Sequence, residues 1–105
     1  MAKTMTFTYD GKDYTLEFTR KTVIETENMG FNAQFIDTMP ITSLSILFRG
    51  AFLAHHRDLP AKEIDKIFEN FSKEGLLEAL ADLYYEPIRV LMEDNSKNAV
   101  KWTMT

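Results

Sequence analysis

The stretch "MTFTYDGKDYTLEF", residues 5–18, decides the fold class. Met5, Phe7 and Tyr9 alternate with threonines, and Tyr14, Leu16 and Phe18 alternate with polar residues after the "DGKD" tetrapeptide. A period of two places each apolar set on one face of a strand. Asp10-Gly11 is a turn signal, because glycine accepts the positive φ that a tight hairpin demands. A turn centred on Gly11-Lys12 pairs Tyr9 with Tyr14 and Phe7 with Leu16. A turn centred on Asp10-Gly11 shifts the pairing by two residues and keeps the same face apolar. Either register gives a hairpin that needs a helical layer over one side.

Downstream the period changes. "TRKTVIETENMGFN" has Thr19 to cap a helix start and Gly30 to end it. Val23, Ile24, Glu27 and Met29 lie along that helix. Its β-branched Thr22, Val23, Ile24 and Thr26 keep a third strand through "TVIET" open as the competing reading. "FNAQFIDTMP" follows as a connector with two aromatics expected inside, Phe31 and Phe35. Pro40 sits where a helix begins, and Ile41, Leu44, Leu47, Phe48, Ala51 and Phe52 recur at three- and four-residue steps. Gly50 inside that helix costs about 1 kcal/mol relative to alanine, which points to a close approach of another element there. Pro60 opens a further helix with Ile64, Ile67, Phe68 and Phe71. Ser72 is a plausible cap for the last helix, in which Pro87 predicts a kink or a break.

The expected fold is therefore α+β: an N-terminal β-hairpin (5–18) followed by a mostly α-helical domain of four or five helices. Helices are expected at about 20–29, 41–56, 60–71 and 73–92, in one domain spanning 1–93, with 94–105 as a mobile C-terminal tail.

Composition narrows function. The chain has 105 residues, 45% hydrophobic, enough for one core. Twelve Lys and Arg against 16 Asp and Glu give a formal charge of -4, which argues against nucleic-acid binding. The absence of cysteine excludes disulfides, thiolate zinc sites and cysteine nucleophiles. The alternating N-terminus is unlike a signal peptide, and no apolar run reaches the roughly 18–20 residues of a membrane span. The expected setting is cytoplasmic.

The stretch "AHHRDLP", residues 54–60, gathers both histidines with Arg57 and Asp58. Adjacent helical residues point about 100° apart, so His55 and His56 cannot act together as an i, i+4 metal pair. A structural corner between two helices is the favoured reading, with a small enzyme or metal protein using His55, His56 and Asp58 as the alternative. Among the carboxylates only Glu74 and Glu78 share a helical face. No phosphate loop and no nucleophile frame is present. No cofactor and no catalytic residue is expected. Candidate partner-binding residues are Tyr84 and Tyr85, which cannot both face one core, together with Met92 and Trp102 near the C-terminus.

The order of elements resembles the small phage tail assembly chaperones, including relatives in prophage and gene-transfer-agent tail clusters. The matching stretches are "FTYDGKDYTLEF" (7–18), "TVIETENMGF" (22–31), "ITSLSILFRGAFLAHHRDL" (41–59) and the corner "AHHRDLPAKEIDKIF" (54–68). The resemblance covers about residues 5–92. Pro60 stands where many members have a serine or threonine cap, and Tyr84-Tyr85 and Pro87 have no counterpart in that pattern. The resemblance implies a non-enzymatic protein that binds the tape-measure protein, or another tail protein, in the bacterial host cytoplasm during virion assembly. A tail or connector protein retained in the virion and a small regulatory binding module are the alternatives. Self-association into a homo-oligomer is compatible with each.

Overall fold

The structure, a computed structural model, describes residues 3–93 and 100–104. Two antiparallel strands, β1 (Met5–Tyr9) and β2 (Lys12–Leu16), lead into four helices. These are α1 (Arg20–Asn28), α2 (Pro40–Ala51), α3 (Ala61–Glu69) and α4 (Leu76–Met92), with a single 3-10 turn at Ala33–Phe35 between α1 and α2. The α+β arrangement expected from the sequence is the one observed.

The hairpin takes the register centred on Asp10-Gly11. Tyr9 pairs with Lys12, Phe7 with Tyr14 and Met5 with Leu16. Asp10 (φ 52°) and Gly11 (φ 77°) both lie in the left-handed region, the conformation of a type I′ turn, whose twist matches the strands. The inward row meets the helices through aromatic rings. Phe7 packs edge-on against Phe71 at 4.8 Å, and Tyr14 against Phe52 at 6.0 Å.

The segment open to a strand or a helix folds as α1. Thr19 and Thr22 form a reciprocal capping box: Thr22 N–H donates to Thr19 Oγ1 at 3.2 Å and Thr19 N–H to Thr22 Oγ1 at 2.8 Å. Gly30, at φ 106°, lies just past its end. The inward face is Thr22, Val23 and Thr26, while Ile24 and Met29, which lie along the same helix, are exposed. The reason lies in α2. Gly50 presents bare backbone to Thr26, letting the two helices cross closely, and Thr26 satisfies its hydroxyl by donating to Thr22 O at 2.7 Å.

Three helix limits differ from expectation. α2 stops at Ala51, short of 56, because its last turn tightens: Phe52 N–H and Leu53 N–H donate to the carbonyls three residues back, Arg49 and Gly50. Phe52 stays fully buried all the same. α3 ends at Glu69, where the Lys73 ammonium donates to the carbonyls of Phe68 and Phe71 and lies 4.6 Å over the Phe68 ring. α4 begins at Leu76 without a Ser72 cap, since Gly75 is left-handed (φ 71°) and breaks the helical run. It continues through Pro87 as one helix and is not broken there. In the connector, Phe31 is buried as expected, but the 3-10 turn carries Phe35 outward. Of the tail expected to be mobile, residues 94–99 and 105 lie outside the described residues, and 100–104 adopt neither helix nor strand.

Candidate functional site: the corner and the end of helix α4

The histidine corner is built as a clasp. Each of three consecutive residues holds a different point on the N-terminal segment. His55 Nε2 lies 2.6 Å from Glu17 Oε1. His56 Nε2 accepts the backbone N–H of Thr15 at 3.0 Å. Arg57 makes a bidentate pair with Glu25, both contacts at 2.8 Å. The adjacent Glu17 N–H donates to Ala51 O at 3.1 Å. The corner thus covers the end of the outward edge of β2 and ties it to the middle of α1.

Burial lowers the His56 pKa, and the neighbouring His55 charge adds to that. An N–H aimed at Nε2 is accepted only by an unprotonated nitrogen, so the Thr15 bond also needs the neutral ring. The Arg57 guanidinium, hydrogen-bonded to Glu25, holds that carboxyl below the usual range, and Glu25 in turn raises Arg57. Among the described residues, no group of three or more His, Asp or Glu side chains is placed to hold a metal ion. His55 and His56 turn to separate partners, and Asp58 pairs with neither.

The tyrosine pair divides as adjacent helical residues must. Tyr84 is the inward one, only 3% exposed, with Phe31 at 4.8 Å and Phe18 at 5.4 Å from its ring. Its hydroxyl donates to Glu27 Oε2 at 3.2 Å. Burial, then the Glu27 charge, pushes its pKa well up. Tyr84 is thus a core residue whose edge reaches the surface, not a free contact residue. Tyr85 is the outward one, half-buried against Tyr84.

Besides Ile24, Met29, Phe35, Met39 and Ile41, which are exposed elsewhere, part of the exposed apolar surface lies at the end of α4. This helix has 17 residues, about 25 Å, whereas α1 has 9 and α2 has 12. Its inward stripe runs Leu80, Leu83, Tyr84, Pro87 and Leu91 at three- and four-residue steps. The stripe outruns the core: Leu80 is fully buried, whereas Leu91 is 53% exposed. Val90 and Met92 beside it are exposed as well. A cleft of about 360 Å³ lies on one flank, lined by Phe18, Thr19, Arg20, Glu86, Pro87 and Leu91 among others. A second, of about 390 Å³, lies where Tyr85 and Ile88 face Glu27, Phe31 and Asn32.

Of the four candidate partner-binding residues, Tyr85 and Met92 belong to this end of α4, Tyr84 lies beneath it, and Trp102 is exposed in the segment beyond. Ile88 is partly buried against the core, whereas Leu91, one turn further on, is exposed. The signal that marks Leu91 as surface is the length of α4 against its shorter partner helices.

These features define a small hairpin-and-helix α+β domain whose last helix projects an apolar end. The whole chain, residues 1–105, matches the family described as a domain of unknown function, DUF5055, and belongs to it. No curated protein and no solved structure matches the chain. Among the described residues, no helix is long and apolar enough to cross a membrane.

Proposed function

We propose that this protein is a non-catalytic binding module that acts as a phage tail assembly chaperone, holding a helical client, the tape-measure protein, during tail assembly. The carrying observation is the apolar stripe of α4, which continues past the core and leaves Val90, Leu91 and Met92 exposed, with Val90 and Leu91 in the wall of the first cleft. A helical client fits such a surface, because a ridge of apolar side chains at three- and four-residue spacing packs into a groove beside another helix. The charged rim of Glu17, Arg20, Glu86 and Glu27 keeps the surface soluble without a client and orients one that arrives. The resemblance of residues 5–92 to the tail assembly chaperones supports the choice of client.

The test is co-expression with the tape-measure protein of the same gene cluster. The wild-type chain co-purifies with the client and raises its soluble yield. Leu91→Glu with Met92→Glu, changes at exposed positions that leave the core intact, abolishes both effects. A client that is equally soluble and equally retained with the double variant overturns the proposal.

A further inference from the structure

The two edges of the hairpin are treated differently. In a two-residue hairpin the pairs Tyr9–Lys12, Phe7–Tyr14 and Met5–Leu16 exchange the ladder bonds, so the N–H groups of the intervening residues point outward. On β2 that edge is covered away from the turn: Thr15 N–H donates to His56 and the next outward donor, Glu17, to Ala51 O, while the Asp13 amide beside the turn has no protein acceptor among the described residues. On β1 the outward amides of Thr6 and Thr8 have no protein acceptor among the described residues. Burial follows the same asymmetry. The inward residues of β2, Tyr14 and Leu16, are buried, whereas Met5, Phe7 and Tyr9 of β1 are each left half-open. An open edge with a half-covered apolar row is the form of a sheet that lacks a strand.

The chain carries a segment of matching form. Val100, Trp102 and Met104 alternate with Lys101 and Thr103, the same three-apolar, period-two pattern over five residues that β1 shows with Met5, Phe7 and Tyr9. Within its own chain this segment is neither helix nor strand, and its apolar side chains are 90%, 78% and 86% exposed. A strand of this pattern, laid beside β1, puts its three apolar side chains on the inward face and covers Met5, Phe7 and Tyr9. Its backbone meets the outward amides of Thr6 and Thr8.

We infer that residues 100–104 of a second copy of this chain add as a third strand to the β1 edge. Each copy has one such segment and one open β1 edge, so reciprocal exchange closes a two-fold dimer in which both segments and both β1 edges are paired.

Trp102 is the single tryptophan of the chain, which makes its fluorescence a direct reporter. Sedimentation and tryptophan emission are followed together across a concentration series of the full-length protein. A shift from monomer to dimer, with a blue shift of Trp102 over the same range, is the expected result. Val100→Glu with Met104→Glu weakens dimerisation by at least about tenfold and abolishes the blue shift, since each change removes a buried apolar side chain from the added strand. These two residues stand outside the folded core, so the variant folds as the parent does. Thr6→Pro removes an outward N–H at an edge-strand position, where proline is tolerated, and has the same effect, with circular dichroism confirming the fold. A chain that stays monomeric with solvent-exposed Trp102 at every concentration overturns the inference. So does a blue shift independent of concentration, which places the segment on its own chain, and so does a dimer that survives Val100→Glu with Met104→Glu.

Discussion

Gly50→Ala is the most revealing single substitution in the core. On helix propensity alone it stabilises α2 by about 1 kcal/mol. Tertiary structure reverses the sign. A methyl group built on Gly50 lies 2.1 Å from Thr26 Oγ1, 2.9 Å from its Cγ2 and 3.0 Å from its Cβ. Thr26 is fully buried, and its hydroxyl is held by Thr22 O, so it cannot swing aside without breaking that bond. Overpacking of this kind costs about 1–3 kcal/mol, and the shortness of the contact points to the upper end or beyond. After the propensity gain, the net loss is about 2 kcal/mol, which for a domain of this size lowers Tm by about 10 °C. The assay is urea denaturation of Gly50→Ala, Thr26→Ala and the double variant. Thr26→Ala removes the two nearest atoms and costs about 1–2 kcal/mol by itself. In that background Gly50→Ala becomes neutral or slightly stabilising, so the cycle returns a coupling of about 2 kcal/mol. If Gly50→Ala is neutral or stabilising in the wild-type chain, the close α1–α2 crossing is wrong.

Other outcomes follow from the corner and from α4. His56 binds its proton less readily in the folded chain than in the unfolded one, whose pKa is near 6.5. Its contribution to stability is therefore full above about 6.5 and falls as pH drops through that value toward the lower folded-state pKa. His56→Gln keeps an acceptor for Thr15 N–H but does not titrate, so unfolding curves at a series of pH values show that decline flattened in the variant. Pro87→Ala restores a donor for the Leu83 carbonyl inside α4. It raises stability by about 2 kcal/mol, the propensity difference of roughly 3 less up to about 1 for the entropy that proline removes from the unfolded chain, as read by urea midpoint. Tyr84→Phe removes the hydroxyl bonded to Glu27 and costs about 1 kcal/mol by thermal melting, with the ring packing intact.

The clasp explains why a histidine pair that resembles a site is structural. A β-strand edge offers a row of outward N–H groups, and the free nitrogen of a neutral imidazole accepts such a donor from a neighbouring corner. His56 takes the Thr15 amide, His55 meets Glu17 and Arg57 meets Glu25. Their adjacency in sequence reflects three separate contacts on one chain segment, each pointing a different way.

Local signals by themselves determined a hairpin with its turn near Gly11 and the order of the later helices, while its register and the choice of helix over strand at residues 20–28 stayed open. The period of two in residues 5–18, the Thr19 cap, the Pro40 helix start and the corner at Pro60 are each set by backbone geometry within a few residues. The helix limits escaped that reading. The end of α2, the Lys73 cap on α3 and the start of α4 after Gly75 depend on how a last turn tightens and on where one side chain reaches. Two further facts were decided only by tertiary structure. Thr26 is buried and Ile24 exposed because Gly50 of a distant helix lies against one face of α1 and nothing covers the other. Leu80 and Leu91 stand on the same stripe of the same helix, yet one is core and the other surface. Periodicity fixes the direction in which a side chain points, but burial depends on whether another element reaches that far, and α1 and α2 are shorter than α4.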